Sequence, residues 1–338
     1  MSLSEFELIE RYFKSAFSQS LKSSISVGIG DDAALFFPTP GQQGCICTDV
    51  LVSDVHFPAN ADSFDIAQRA LRVNLSDLAA MGARPVCFTL GLTLPHADED
   101  WISRFGGGLF SAASAFDCPL VGGDTTRGPL NISITVYGEV PAGEALQRAG
   151  AQAGDNLYVT GQLGKGKTAL NALGFDSSTD DSQSKESDMT PEQISHLYNC
   201  FYRPEPRLAF AAASRRLISS AIDISDGLYA DSGHLARASG LALQINAHEL
   251  PFDGIVTELT DPAQRVDAAL FGGDDYELAF TAAPGVEASL FRIASELDLA
   301  ITCIGSVSAG TGVTVQDEQG IVKLDGRHSF DHFKGSES

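Results

Sequence analysis

The chain has 338 residues, enough for about two domains at roughly 150 residues each. Its 44 Asp and Glu against 22 Lys and Arg give a formal net charge of −22. That charge repels phosphate backbones and anionic headgroups, which argues against nucleic acid and membrane surfaces as partners. Hydrophobic residues at 43% exclude global disorder, and no apolar run approaches the ~20 residues that cross a bilayer.

Helical and strand periods alternate along the chain. A helix is expected over 5–20, a strand over 44–53 and a helix over 64–81 closed by Gly82 and Pro85. A strand at 86–94, a helix at 99–116 and strands near 119–122 and 130–140 follow. The pattern restarts with the strand NLYVT after a boundary near 150, so the expected domains are 1–150 and 151–338. The second half is expected to hold helices near 205–218, 229–239 and 286–297, and strands near 242–246, 276–281 and 301–307. The run 176–190 is polar and low in complexity, and reads as a mobile surface loop. The segment SEFELIERYF is charged from Glu5 onward and is not expected to be a signal peptide. Cys45, Cys47, Cys87, Cys118, Cys200 and Cys303 show no CxxC spacing and read as free thiols, in keeping with a cytoplasmic protein.

The aspartates recur beside glycines in short stretches that read as turns: GIGDDAA at 28–34, GGDTT at 122–126, ISDGL at 224–228 and GGDDYEL at 272–278. Glycine lets a backbone turn tightly and a ligand approach; aspartate supplies the hard oxygens that Mg²⁺ takes. One such pair is ordinarily an Asx turn. Four in one acidic chain favour carboxylates that hold Mg²⁺ and a polyphosphate.

The helix FDIAQRALRVNLSDLAAMG adds an independent argument. At about 100° per residue its leucines and Met81 mark an apolar face, with Asn74 inside it and Asp77 on its edge. A buried lone carboxylate costs several kcal/mol unless it is paired or binds a cation. A metal at Asp77 is therefore favoured over satisfaction by backbone N–H groups. In the strand 44–53, Cys47 and Asp49 share one face while Thr48 looks the other way, and His56 follows in a turn.

Residues 161–168 (GQLGKGKT) match the phosphate-loop pattern GxxxxGK[ST], follow a strand and open a helix. This is the rival reading. Against it, some 150 residues of aspartate-rich sequence precede the strand that should begin such a domain. SSAIDISD at 219–226 is also only a marginally apolar candidate for the second strand it requires. The bland reading is a tight strand-to-helix turn.

In order, GIGDDAA, TDVLVSDVHF (48–57), NLSDLAAMGARP (74–85), LVGGDTTRGPL (120–130), YVTGQLG (158–164), DISDGL (223–228), GGDDYEL and FDHF (330–333) resemble the thiamine-monophosphate kinases. These belong to the superfamily that includes aminoimidazole ribonucleotide synthetase and selenophosphate synthetase. The resemblance implies two α/β domains of the aminoimidazole ribonucleotide synthetase type, with N-terminal strands of two subunits forming a shared barrel in a homodimer. It implies transfer of a phosphoryl group from ATP, bound in a cleft, to thiamine monophosphate. By matched position it implies Mg²⁺ ligands at Asp32, Cys47, Thr48, Asp49, Asp77, Asp124, Asp223 and Asp226. It implies ATP contacts at Gly123, Asp124, Arg148 and Ser225, and thiamine-phosphate contacts at His56, Asp274 and Phe330.

Cys47 departs from the serine of many relatives, and only its carbonyl would suit Mg²⁺. Asp274 stands for a more usual glutamate, and Lys165 and Lys167 occupy a turn where the family needs no lysine. The chemistry is coherent without a general base, because a phosphate nucleophile is already anionic. A sister ATP-dependent synthetase and a non-catalytic nucleotide or metal sensor are the other readings.

Overall fold

In the computed structural model, which describes residues 5–17, 21–175 and 189–322, the chain divides into two units. The first takes the chain through Leu78 together with Ala83–Ala145; the second takes Ala79–Gly82 and the chain from Leu146 onward. The end of the first expected helix, residues 176–188 of the polar run, and Phe330 lie outside the described residues.

The first unit opens on a helical stretch, Glu5–Leu8 and Ser15–Phe17 flanking a π-helical Ile9–Lys14. A small antiparallel pair follows, β1 (Ile25–Val27) and β2 (Leu35–Phe36). The main sheet has β3 (Gln42–Val52), β4 (Arg84–Leu94), β5 (Leu120–Arg127) and β6 (Asn131–Pro141) in the order β3-β6-β4-β5. All its pairings are antiparallel except β4 with β5. Alternation sets its two faces. Phe88, Leu90, Leu92, Ile132, Ile134 and Val136 are buried on one side, while Thr89, Thr93, Ser133 and Thr135 between them are only half-buried.

The helices α1 (Ser63–Ala80) and α2 (Glu99–Ala115) serve the buried side. Leu71, Leu75 and Leu78 of α1 are fully buried, each worth ~2 kcal/mol of transfer free energy. Close crossing of α1 and α2 depends on Gly108, where a Cβ would stand 2.2 Å from the Phe64 carbonyl oxygen.

GGDTT, expected as a turn, is the outer part of β5. Gly123 makes this possible: its φ is 154°, and a Cβ would lie 1.9 Å from the Leu90 carbonyl oxygen of β4. Strand pairing overrides the turn signal of the glycines.

The second unit is a seven-stranded sheet covered on both sides. Its strands are β7 (Asn156–Thr160), β8 (Ser220–Asp223), β9 (Ala242–Asn246), β10 (Leu278–Ala282), β11 (Ile301–Ser308), β12 (Gly312–Asp317) and β13 (Gly320–Ile321), in the order β13-β12-β9-β11-β7-β10-β8. Among its described pairings only β12 with β9 is parallel.

Its helices are α3 (Lys165–Ala172), α4 (Pro191–Tyr202), α5 (Leu208–Ser214), α6 (Leu228–Ser239), α7 (Gly254–Leu259), α8 (Pro262–Phe271) and α9 (Glu287–Glu296). Leu157, Val159, Ile222 and Ala279 join Leu235 of α6 and Leu270 of α8 in one core. Their neighbours Tyr158, Ala221, Leu278 and Phe280 join Phe210 of α5 and Leu290 of α9 in another. Burial on both faces explains why these strands read as continuous apolar runs.

Two expectations are corrected here. The helix near 205–218 shrinks to α5, Leu208–Ser214. Helices α4, α7 and α8, absent from the sequence reading, carry N-caps from Thr190, Asp253 and Asp261.

Candidate functional site

In the first unit, α1 carries Asn74 and Asp77 to the inner face of β3. Asn74 is fully buried, and its amide is used at both ends. Nδ2 donates to the Ala70 carbonyl at 2.8 Å, and Oδ1 accepts the Asp49 backbone N–H at 3.0 Å. The helix and the strand are thereby fixed in register. Cys47 Sγ lies 3.5 Å from the Asn74 carbonyl oxygen. Burial, with the Asp77 and Asp49 carboxylates beside it, pushes the Cys47 thiol far above its usual range. Burial and Asp77 raise Cys45 as well. Soft thiol sulfur is in any case a poor ligand for a hard cation such as Mg²⁺.

The structure thus gathers Cys47, Asp49 and Asp77 on one face. Thr48 looks away, as alternation requires, and its hydroxyl lies 2.8 Å from that of Thr135. Asp124 is exposed on β5 in register with Gly91, on the face of Thr48. Asp32 sits in an exposed turn where its backbone N–H donates to Asp31 Oδ1 at 2.8 Å. The Nδ1 of His56 accepts the Val52 backbone N–H at 3.0 Å, which places the proton of the neutral ring on Nε2.

In the second unit, DISDGL and GGDDYEL are laced together by their backbones. The Asp274 N–H donates to the Ser225 carbonyl and the Tyr276 N–H to the Ile224 carbonyl, both at 2.9 Å. Gly273, Asp274 and Tyr276 have φ of 65°, 61° and 50°, and the left-handed region costs a non-glycine residue about 1–2 kcal/mol. Such strain persists only where its surroundings impose it. Tyr276 Oη donates to Asp274 Oδ1 at 3.1 Å.

Asp231, one turn into α6, accepts the backbone N–H groups of Ser225 and Asp226, both at 3.1 Å. Burial and the nearby Asp223 and Asp226 carboxylates push its carboxyl up to about 8, against those two N–H groups. Further along α6, burial and the cations of Arg237 and Arg148 hold His234 below its ordinary value, against a smaller pull from Asp226. The structure therefore brings Asp223, Ser225, Asp226 and Asp274 together and sets Arg148 within electrostatic reach of His234. Sequence reasoning missed Asp231; its signal is an acidic residue in the first turn of a helix that opens on a glycine.

Among the described residues, no three His, Cys, Asp or Glu side chains are close enough to hold one ion by themselves. Asp49 and Asp77 both lie near Cys47, and Asp223 and Asp226 both lie near Asp231, so each unit offers two hard carboxylates. Mg²⁺ suits that supply, since it is usually held by one or two carboxylates and completed by water and substrate phosphates. Burial is the larger cause of the rise of Asp231, and the Asp223 and Asp226 carboxylates beside it add negative charge that a cation would offset.

The phosphate-loop match is accounted for by the protein itself. Asp275 is buried, and its oxygens accept the backbone N–H of Gly164 at 2.7 Å and of Gly166 at 3.1 Å. The amides that would cradle a phosphate are occupied by a carboxylate. Burial raises Asp275 to about 7, with Lys165 and the two N–H groups pulling the other way. The Thr168 hydroxyl donates to the Gly164 carbonyl within the helix, at 2.7 Å. Strand β7, which would have to begin a parallel sheet, pairs antiparallel with both neighbours.

Lys165 ion-pairs with Glu277 at 3.1 Å. Glu277 is 1% exposed; it also accepts two bonds from Arg207 at 2.6 Å and one from the Thr160 hydroxyl at 2.8 Å. These cations outweigh burial and hold Glu277 below its ordinary range.

Residues 30–140 match the AIR synthase related protein N-terminal domain, and residues 152–318 match the corresponding C-terminal domain. The thiamine-monophosphate kinase of Escherichia coli (strain K12) is 41% identical over 334 residues, covering 98% of this chain and 99% of that one. Among solved structures, the thiamine-monophosphate kinase of Stenotrophomonas maltophilia K279a superposes with a TM-score of 0.83 at 43% identity, covering 93% of this chain and 97% of that one. A second, AaThiL complexed with AMPPCP and TMP, gives 0.73 at 28% identity over 98% and 99% of the two chains. The chain belongs to the AIR synthase related family and, within it, to the thiamine-monophosphate kinases.

Proposed function

We propose that the protein transfers the terminal phosphoryl group of ATP to thiamine monophosphate, releasing ADP and thiamine diphosphate. The observation that carries the reading is likeness along the whole chain to relatives named for this reaction. The structure of AaThiL complexed with AMPPCP and TMP adds support.

Asp32, Asp49, Asp77, Asp124, Asp223 and Asp226, with Thr48, are the oxygen donors for several Mg²⁺ ions, and Cys47 contributes through its carbonyl or not at all. When bound, Mg²⁺ neutralises charge on the transferring phosphoryl group and its neighbours. The protein's own work is positioning. Asn74 holds Asp49 against α1, and Asp231 orders the backbone of Ser225 and Asp226. Gly123, Asp124, Arg148 and Ser225 contact ATP; the absence of a side chain at Gly123 keeps β5 close to β4. His56, with its Nε2–H, serves the substrate phosphate, and Asp274 the cationic ring of thiamine; Phe330 completes the substrate contacts. No group has to take a proton from the nucleophile.

Residues 1–150 are assigned to ATP and Mg²⁺ binding and to dimerisation, and residues 151–338 to the remaining ligands. A homodimer is supported by Ile46 and Val50, 64% and 46% exposed on the outward face of β3, which a second copy's strands would cover in a shared barrel. We place the protein in the cytoplasm; among the described residues no helix is long and apolar enough to cross a membrane.

The test is a turnover assay with ATP, Mg²⁺ and thiamine monophosphate. ADP and thiamine diphosphate should appear in equal amounts and only with Mg²⁺. ADP without thiamine diphosphate would point to a sister synthetase. No ADP at all would point to a sensor.

A further inference from the structure

The substrate residue Asp274 has a left-handed backbone conformation and is followed by two anchoring residues, Asp275 and Glu277, that are assigned no substrate contact. Asp275 fastens the loop to the start of α3 through the N–H groups of Gly164 and Gly166. Glu277 fastens its other end through Arg207, Lys165 and Thr160. Only Tyr276 lies between the two anchors. The fit against α3 is tight: a Cβ at Gly166 would come within 2.6 Å of the backbone and Cβ of Asp274, and one at Gly161 within 2.0 Å of Glu277 Oε1.

Stability alone does not call for such an arrangement. Replacing a buried ion pair with well-packed apolar residues is often neutral or stabilising, and a helix start is capped adequately by an exposed Ser or Asp. A charged, fully bonded network does fix one geometry, because each partner tolerates little displacement. The loop it fixes carries left-handed Asp274 and Tyr276. Lys165 stands out further, since it uses a position of the GKGKT stretch for this purpose and not for a nucleotide.

We propose that Asp275 and Lys165 are positioning residues that hold the Asp274 carboxylate in place for the cationic ring of the substrate. The inference rests on the assignment of Asp274 to thiamine monophosphate. It explains why the amides of a phosphate-loop-like turn are turned over to a carboxylate. It also predicts an unequal effect: the network sets the fit of thiamine monophosphate directly and reaches the ATP contact Ser225 only through one backbone bond from Asp274.

The experiment measures KM for thiamine monophosphate, KM for ATP and the melting temperature in Asp275→Asn, Lys165→Met, Lys165→Arg and Gly166→Ala, with Asp274→Ala as reference. Gly166→Ala forces the Asp274 backbone to shift, so its KM is read in the folded fraction, and Lys165→Arg, which keeps the buried charge, is the variant expected to fold throughout. Expected are a KM for thiamine monophosphate raised by about tenfold or more in Asp275→Asn, Lys165→Met and Gly166→Ala, and a KM for ATP changed by less than about twofold. Lys165→Arg should recover most of the loss. A purely structural role would lower the melting temperature and the active fraction while leaving both KM values as they were, and that result overturns the proposal. If Asp274→Ala raises the KM for thiamine monophosphate and Gly166→Ala does not, the positioning inference fails while the assignment of Asp274 stands. If Asp274→Ala leaves that KM unchanged, the assignment fails and this inference with it.

Discussion

Asp231 accepts the backbone N–H of Asp226 at 3.1 Å while the side chain of the same Asp226 repels it. The two effects oppose each other. Burial and the carboxylates of Asp223 and Asp226 prevail, so Asp231 sits near 8 instead of its ordinary 3.8.

The proton on Asp231 is therefore bound more tightly in the folded protein than in the unfolded chain. The resulting stability is fully present below pH ~4 and is lost as pH rises through about 8. Asp231→Asn keeps an oxygen for the two N–H groups and cannot ionise. In the absence of Mg²⁺ it should melt higher than the wild type at pH 8.5, with the gap much smaller at pH 5. Thermal melts at the two values check this, and a gap that does not change with pH contradicts it.

Asp77→Asn should abolish turnover, by about a hundredfold or more, without lowering the melting temperature. Asp77 is half-buried beside the thiols of Cys45 and Cys47 on the inner face of β3, and asparagine fills the same space without its charge. Steady-state turnover beside a thermal melt decides the matter. Activity within about threefold of wild type would remove Asp77 from the metal site.

Lys167→Ala should change turnover by less than about tenfold, because the N–H groups of Gly164 and Gly166 are taken by Asp275. A phosphate-loop lysine contacts the transferring phosphate, so a loss of about a thousandfold would restore the rival reading.

Much of the first unit was legible in the sequence because one face of its sheet is uncovered. Alternation in β3 separated Cys47 and Asp49 from Thr48, and the helical period of α1 placed Asn74 inside its apolar face. GGDTT was not legible, since two glycines and an aspartate read as a turn and only pairing with β4 makes them a strand. Helices α4 and α8 had capping boxes in view, Thr190-Pro191 with Gln193 and Asp261-Pro262 with Gln264. The GKGKT turn shows a different limit. Its local pattern is that of an anion site, and the anion that fills it stands 111 and 109 residues further along the chain. No local motif reports such a partner.

In the proposed function this acidic chain handles anionic substrates through cations held by its aspartates. Binding to the folded state alone stabilises by RT ln(1 + [L]/Kd), and Mg²⁺ and ATP each supply the charge the other lacks. The most direct measurement is the melting temperature with Mg²⁺, with ATP, and with both, at matched ionic strength. The joint shift should exceed the sum of the separate shifts, should not be reproduced by sodium chloride, and should shrink in Asp49→Asn and Asp124→Asn. A strictly additive shift, or one that salt mimics, would mean that the aspartates form only a solvated acidic surface.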